Sequence, residues 1–206
     1  MTELNQTFWL AFDSSNGTYI SDTSNNRVVL IHVLFPSPTE NNSSHQVYLD
    51  SSNVFDTYPS FDPNFLWGEP AFGDSSLYPP SASTFCCQGA ISVAPDGTFF
   101  VVSTGENRVL VFPPRAHANY SIAIGVIGQP NFASEVNNSA TADLVGMTTP
   151  YDVKYDSTTN SLWVADSFNN RILYYANILL LPIDMPASQV SFFGYSPNIL
   201  LSAKGI

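Results

Sequence analysis

YDSTTNSLWVADSFNNRILYY, from Tyr155 to Tyr175, holds two short apolar runs separated by a polar turn. The runs SLWVA and RILYY are rich in branched and aromatic residues, and Asn, Asp and Ser bound them. That is the pattern of a β-hairpin. Outward from it, the same order of events occurs twice more: FDSSNGTYISDTSNNRVVLIHV from Phe12 to Val33, and VAPDGTFFVVSTGENRVLVF from Val93 to Phe112. In each copy an Asp (Asp13, Asp96 or Asp156) closes a preceding strand and a Gly or Asn turn follows. An apolar strand, a polar turn, the pair Asn-Arg and a second apolar strand complete the copy.

A second marker alternates with the hairpins. WGEPAF (Trp67 to Phe72), IGQPNF (Ile127 to Phe132) and FGYSPNI (Phe193 to Ile199) each follow an apolar run. Arg27, Arg108 and Arg171 are 81 and 63 residues apart, whereas Gly68, Gly128 and Gly194 are 60 and 66 apart. The unequal hairpin spacing is explained by a Ser-, Asn- and Pro-rich insertion at 36–60 in the first unit. Each unit offers about four strands; in the third they are expected at 151–156, 161–166, 170–176 and 189–194. Four short antiparallel strands repeated in fixed order describe a blade of a β-propeller. The sequence therefore predicts an all-β, partial propeller of about three blades, near 7–68, 89–128 and 150–194. A fourth is expected to begin near 203–206.

VADSFNNRILYY with the preceding TTPYDVKYD resembles an NHL repeat, DTSNNRVVLI resembles a second copy, and GQPNF ahead of the repeat resembles the family's long-loop variety. The resemblance covers nearly the whole chain. It implies a propeller of NHL type, a fold used as an interaction platform within larger proteins and, in some relatives, as a lyase or hydrolase with a metal in the central channel. The middle copy departs from the pattern, since Ser103 stands where Asp22 and Asp166 stand. A pairing that needs this carboxylate is in doubt there.

Three of the four arginines occupy one repeat position, which calls for a repeated structural need. Asp22 with Arg27, and Asp166 with Arg171, flank four-residue turns and are expected to pair across a hairpin or reach the adjoining blade, with Arg108 in the same role. Asn26, Asn107 and Asn170, each just before an Arg, suit left-handed turn geometry and the capping of loose backbone groups. In the second marker, Gly68, Gly128 and Gly194 would end outer strands without a side-chain penalty, and Pro70, Pro130 and Pro197 would fix the exit toward the next blade. Phe72 and Phe132 would anchor that crossover in the interblade core.

Catalytic constellations are scarce. His32, His45 and His117 do not fall on the expected innermost strands, where channel-facing metal ligands would be wanted. No nucleophile-elbow motif or EF-hand spacing occurs, so no catalytic or metal residue is assigned and no cofactor is expected. Cys86 and Cys87 are adjacent; they read as two thiols, with a redox pair or an intermolecular bridge as alternatives.

The formal charge is −11, from six Lys and Arg against seventeen Asp and Glu. Scattered cations on so acidic a chain argue against nucleic acid and against an anionic membrane surface. No leader pattern opens the chain, and its most apolar stretch is far too short to span a bilayer. Asn5, Asn16, Asn41, Asn42, Asn119 and Asn137 head glycosylation tripeptides; they fit an extracellular glycoprotein and an unmodified Asn-rich protein alike.

Three blades do not close a ring. The sequence therefore suggests a fragment of a larger protein, two copies closing a six-bladed ring, or an open half-propeller. Its function is expected to be non-enzymatic recognition of protein or glycan partners, with 36–60 as the specificity loop; a metal-dependent propeller enzyme is the alternative.

Overall fold

A computed structural model describes residues 6–14, 17–32, 66–68, 79–114, 122–138, 144–180 and 189–192. Among them are twelve strands in three antiparallel sheets. The first holds β1 (Thr7–Phe12), β2 (Gly17–Asp22), β3 (Arg27–His32) and β4 (Leu66–Gly68). The second holds β5 (Gln88–Val93), β6 (Phe99–Ser103), β7 (Arg108–Phe112) and β8 (Gly125–Ile127). The third holds β9 (Pro150–Asp156), β10 (Ser161–Asp166), β11 (Arg171–Tyr175) and β12 (Gln189–Phe192). Within each sheet the strands lie in chain order, each paired with the next. β5 lies against β1 on one side and β9 on the other, so the first strands of the three sheets gather along one line. The described residues form an all-β, partial propeller of three blades; the expected start of a fourth, at 203–206, lies outside them.

Local chemistry explains the hairpins. Asp13 Oδ1 accepts the Gly17 amide at 2.8 Å, and Asp96 Oδ1 accepts the Thr98 amide at 2.9 Å. Asp156 takes the Thr158 amide and the Thr159 hydroxyl, at 2.9 and 2.7 Å. Each is a short carboxylate folding its own turn. Gly97 and Asn160 supply the positive φ that two of these turns need, at +91° and +51°.

Alternation then decides which face meets which blade. Tyr19, Val28 and Leu30 of the first blade pack on Phe99, Val101, Leu110 and Phe112 of the second. The opposite face of the second blade, with Phe100, Val102 and Val109, packs on Leu162, Val164, Leu173 and Tyr175 of the third. Aromatic rings bridge both seams: Tyr19 lies 5.1 Å from Phe99, and Phe100 stacks on Tyr155 at 5.9 Å. Phe99 and Phe100 are fully buried, each stabilising the fold by about 2–3 kcal/mol. On the first blade, the face equivalent to those covered in its neighbours leaves Phe8, Leu10 and Phe12 of β1 exposed, Phe8 by 65%, while Ile20 and Val29 on the same face are buried.

The Gly-Pro marker is described best in the second blade. Gly128 directly follows β8 with φ +90°, and a Cβ there would come within 2.7–3.0 Å of three atoms of Met147. Phe132 packs against the seam between the first and second blades, and Pro130 is exposed. Gly68 ends β4 opposite Arg27, but in the third sheet the residue opposite Arg171 is Phe192. Pro70, Phe72, Gly194, Pro197 and the 36–60 insertion lie outside the described residues.

Gly128→Ala should lower stability by about 2 kcal/mol, from left-handed backbone strain with the displacement of Met147 added. Chemical denaturation of both proteins measures it.

Candidate functional site

Every blade carries a buried arginine node where its second strand turns into its third. In the first, Asp22 and Arg27 are register partners, and Arg27 Nε donates to Asp22 Oδ2 at 2.5 Å. Asn25 Nδ2 donates to both oxygens of the same carboxylate, at 3.0 and 2.9 Å. In the third, Arg171 Nε and Asn169 Nδ2 donate to Asp166 Oδ2 at 2.6 and 2.8 Å. Asp166 Oδ1 accepts the Thr148 amide at 2.7 Å, and Arg171 Nη2 donates to the Gly146 carbonyl at 2.8 Å. The node thus ties the hairpin to the loop that leads into its own blade.

The middle blade reaches the same end with its parts exchanged. Its carboxylate is Glu106, standing in the turn where the other blades have Asn25 and Asn169. Arg108 donates to Glu106 Oε2 from Nε at 2.9 Å and from Nη2 at 2.6 Å, and Ser103 Oγ donates to it at 2.6 Å. Ser103 also accepts the Cys86 amide at 3.0 Å, the bond that Asp166 makes with Thr148. A longer side chain three residues on supplies the charge, and the serine takes over the uncharged part. Arg108 further donates to the carbonyls of Ser81 (3.1 Å) and Thr84 (3.0 Å) and to that of Phe132. Burial pushes the Glu106 carboxyl above its ordinary value and the Arg108 guanidinium below its own, against their mutual attraction. Such a pair fixes geometry more than it adds net stability.

Beside the first two nodes sits a second device that joins consecutive blades. Asn26, Asn107 and Asn170 have φ of +48°, +56° and +50°. Asn26 Oδ1 accepts the Cys87 amide at 3.1 Å, and Asn107 Oδ1 accepts the Thr149 amide at 2.9 Å. Both acceptances cross a seam. The first residue of the same turns adds a bond in the opposite sense. Thr23 Oγ1 donates to the Gln88 carbonyl at 3.4 Å, and Thr104 Oγ1 to the Pro150 carbonyl at 2.8 Å. The receiving residues Cys87 and Thr149 share one conformation with Gln6, each just before an innermost strand, with φ of +54°, +48° and +53°.

Sequence reasoning missed the two threonines, Glu106 and Gln129. Gln129 is buried, donates to the carbonyls of Asn107 (3.1 Å) and Val136 (2.8 Å), and accepts the Val136 amide at 2.9 Å. The threonines recur in phase, at one position of the aligned hairpins, and that was the available signal. Gln88 was missed as well: its carboxamide is buried, with neither end hydrogen-bonded among the described residues.

The loops pinned by these devices expose apolar side chains. Val136 is 67% and Phe168 65% exposed, with Leu144 and Val145 also in solvent. Thr148 connects their segments: its carbonyl accepts the Phe168 amide at 3.2 Å, and its hydroxyl donates to Asn137 Oδ1 at 3.2 Å. Asn137 is exposed; Asn5, Asn16, Asn41, Asn42 and Asn119 lie outside the described residues. His32 ends β3, while His45 and His117 lie outside them too. Among the described residues no three His, Cys, Asp or Glu side chains group as metal ligands, and no helix is long and apolar enough to cross a membrane.

No protein-family model matches the chain. No curated protein matches it. Among solved structures it is similar to a streptogramin B lyase structure, with a TM-score of 0.40 and 11% identity, over 96% of this chain and 57% of that one. The chain thus spans less than two thirds of that protein's length.

Glu106→Ala would strand a buried guanidinium and should cost about 3–5 kcal/mol. Restoring the outer blades' arrangement with Ser103→Asp/Glu106→Asn should recover most of it, as read by equilibrium unfolding.

Proposed function

We propose that this chain is an NHL-type propeller segment that acts as a non-enzymatic interaction platform for protein or glycan partners. One observation carries the reading: the recurring arginines and their carboxylates are consumed inside the blades, while the loops they hold present Val136, Leu144, Val145 and Phe168 to solvent. Apolar side chains on rigidly held loops suit contact with another protein, where burial supplies affinity and a fixed backbone lowers the ordering cost. The net charge of −11 steers the choice away from polyanions. The NHL assignment rests on the in-phase Asn-Arg pairs at Asn26–Arg27, Asn107–Arg108 and Asn170–Arg171 with the strands around them.

Binding screens against protein and glycan libraries, run with the wild type and with Val136→Ser/Phe168→Ser, test the platform. A partner bound by the wild type should lose at least about tenfold in affinity to the variant, equivalent to about 1.4 kcal/mol, with the melting curve unchanged. A partner held equally by both proteins removes these loops as the recognition surface.

The reading extends to self-association. Blades two and three each have a neighbour on the face that, in blade one, leaves Phe8, Leu10 and Phe12 in water. A second copy presenting its third blade would cover those side chains and close a six-bladed ring. Light scattering should then report a dimer that Leu10→Asp converts to monomer; a wild-type monomer at high concentration excludes the closed ring.

A further inference from the structure

We propose that Cys86 and Cys87 form a redox-modification site, closing into a vicinal disulfide when the chain meets a low-molecular-weight disulfide. They are the chain's two cysteines, both present as thiols. Their sulfurs lie 2.8 Å apart, close to the bonded length of about 2.05 Å. The surroundings hold them there. A Cβ added at Gly105 would lie 2.9 Å from Cys86 Sγ, so the Gly105 backbone closes off one side of that sulfur. Cys87 is turned by its left-handed φ of +54° and stands exposed, within reach of a reagent.

The backbone between the sulfurs is fixed at each polar group. Cys86 N donates to Ser103 Oγ at 3.0 Å. The Cys86 carbonyl accepts from the Gly105 amide at 3.3 Å. Cys87 N donates to Asn26 Oδ1 at 3.1 Å. Held this way, the second thiol meets the first at a high effective concentration, which offsets part of the strain of an eight-membered ring.

The reaction balances as two exchanges. Exposed Cys87 loses its proton and attacks one sulfur of the oxidant, whose S–S bond breaks to release one thiolate. Cys86 then loses its proton and attacks Cys87 Sγ, forming the ring and expelling the second thiolate. The two protons go to the two released thiolates; the cysteines are oxidised and the reagent is reduced. Cys87, the exposed thiol, makes the first attack; burial, with the neighbouring Cys87, Glu106 and Glu135, pushes the Cys86 thiol up to about 12.

The ring would contain the peptide group that links two blades. Its amide is held by Asn26 of the first blade and its carbonyl by the Gly105 amide of the second. The eight-membered ring constrains that group, and oxidation is expected to loosen the seam it bridges.

The test treats the full chain, at low concentration, with oxidised glutathione. Intact mass should fall by the mass of two hydrogen atoms, both thiols should resist alkylation, the protein should stay free of intermolecular bridges, and dithiothreitol should reverse all three changes. Persisting glutathione adducts or bridged dimers would overturn the proposal. Cys86→Ser should retain glutathione on Cys87, and an unmodified variant contradicts the assigned order of attack. By NMR-detected exchange, the Cys87 amide should exchange roughly tenfold faster after oxidation, the loss of one hydrogen bond. Unchanged protection sinks the coupling to the blade seam.

Discussion

A charged group cannot be taken out of water at the rim of a sheet unless its partner goes with it. Three times among the described residues a guanidinium is buried together with a carboxylate at the turn between the second and third strands of a blade. The arrangement of the loops follows from that requirement. Once its counter-ion is met, each described arginine still has planar N–H groups to place. Arg108 and Arg171 place them on carbonyls of the loop leading into the same blade, at Thr84 and Gly146. A loop that would otherwise wander over the blade edge is held to within a hydrogen bond of one position.

Fixing that loop also fixes the seam between blades. The residues that accept the next clip, Cys87 and Thr149, follow the arginine-bound carbonyls by three positions and share a left-handed backbone. Asn26 and Asn107 take their amides, while Thr23 and Thr104 bind the carbonyls one residue further on. The polar rim thus registers one blade on the next. The apolar faces beneath, led by Phe99 and Phe100, supply the driving force but little direction, because hydrophobic burial is not directional. Rim and core divide the work between geometry and energy.

The exchange between Ser103 and Glu106 shows what the node requires. Position 103 must accept a backbone amide from the lead-in loop, and either a serine hydroxyl or an aspartate oxygen does so. A carboxylate must also reach the guanidinium, from the strand end or from the turn. The constraint is on the set of hydrogen bonds, not on one residue. The Asp-Arg pairing doubtful from Ser103 alone is replaced in the second blade by a Glu-Arg pairing.

Much of this was legible before any coordinates. Hairpin periodicity, the in-phase Asn-Arg pairs and the Gly and Asp turns determined an all-β chain of repeated four-stranded units, because local turn chemistry and strand alternation are written in consecutive residues. The strands of the third blade fall within about two residues of their sequence-derived bounds. Only the tertiary structure decided that Glu106 replaces the missing aspartate, that Thr23 and Thr104 stitch the blades, and that Gln129 clamps its loop. Only it brought the Cys86 and Cys87 sulfurs together beside Gly105. Each of these joins groups whose approach depends on how a whole blade is placed on its neighbour or on its lead-in loop. That distance is set by packing, and a residue's identity fixes what it can bond to without fixing what comes within reach.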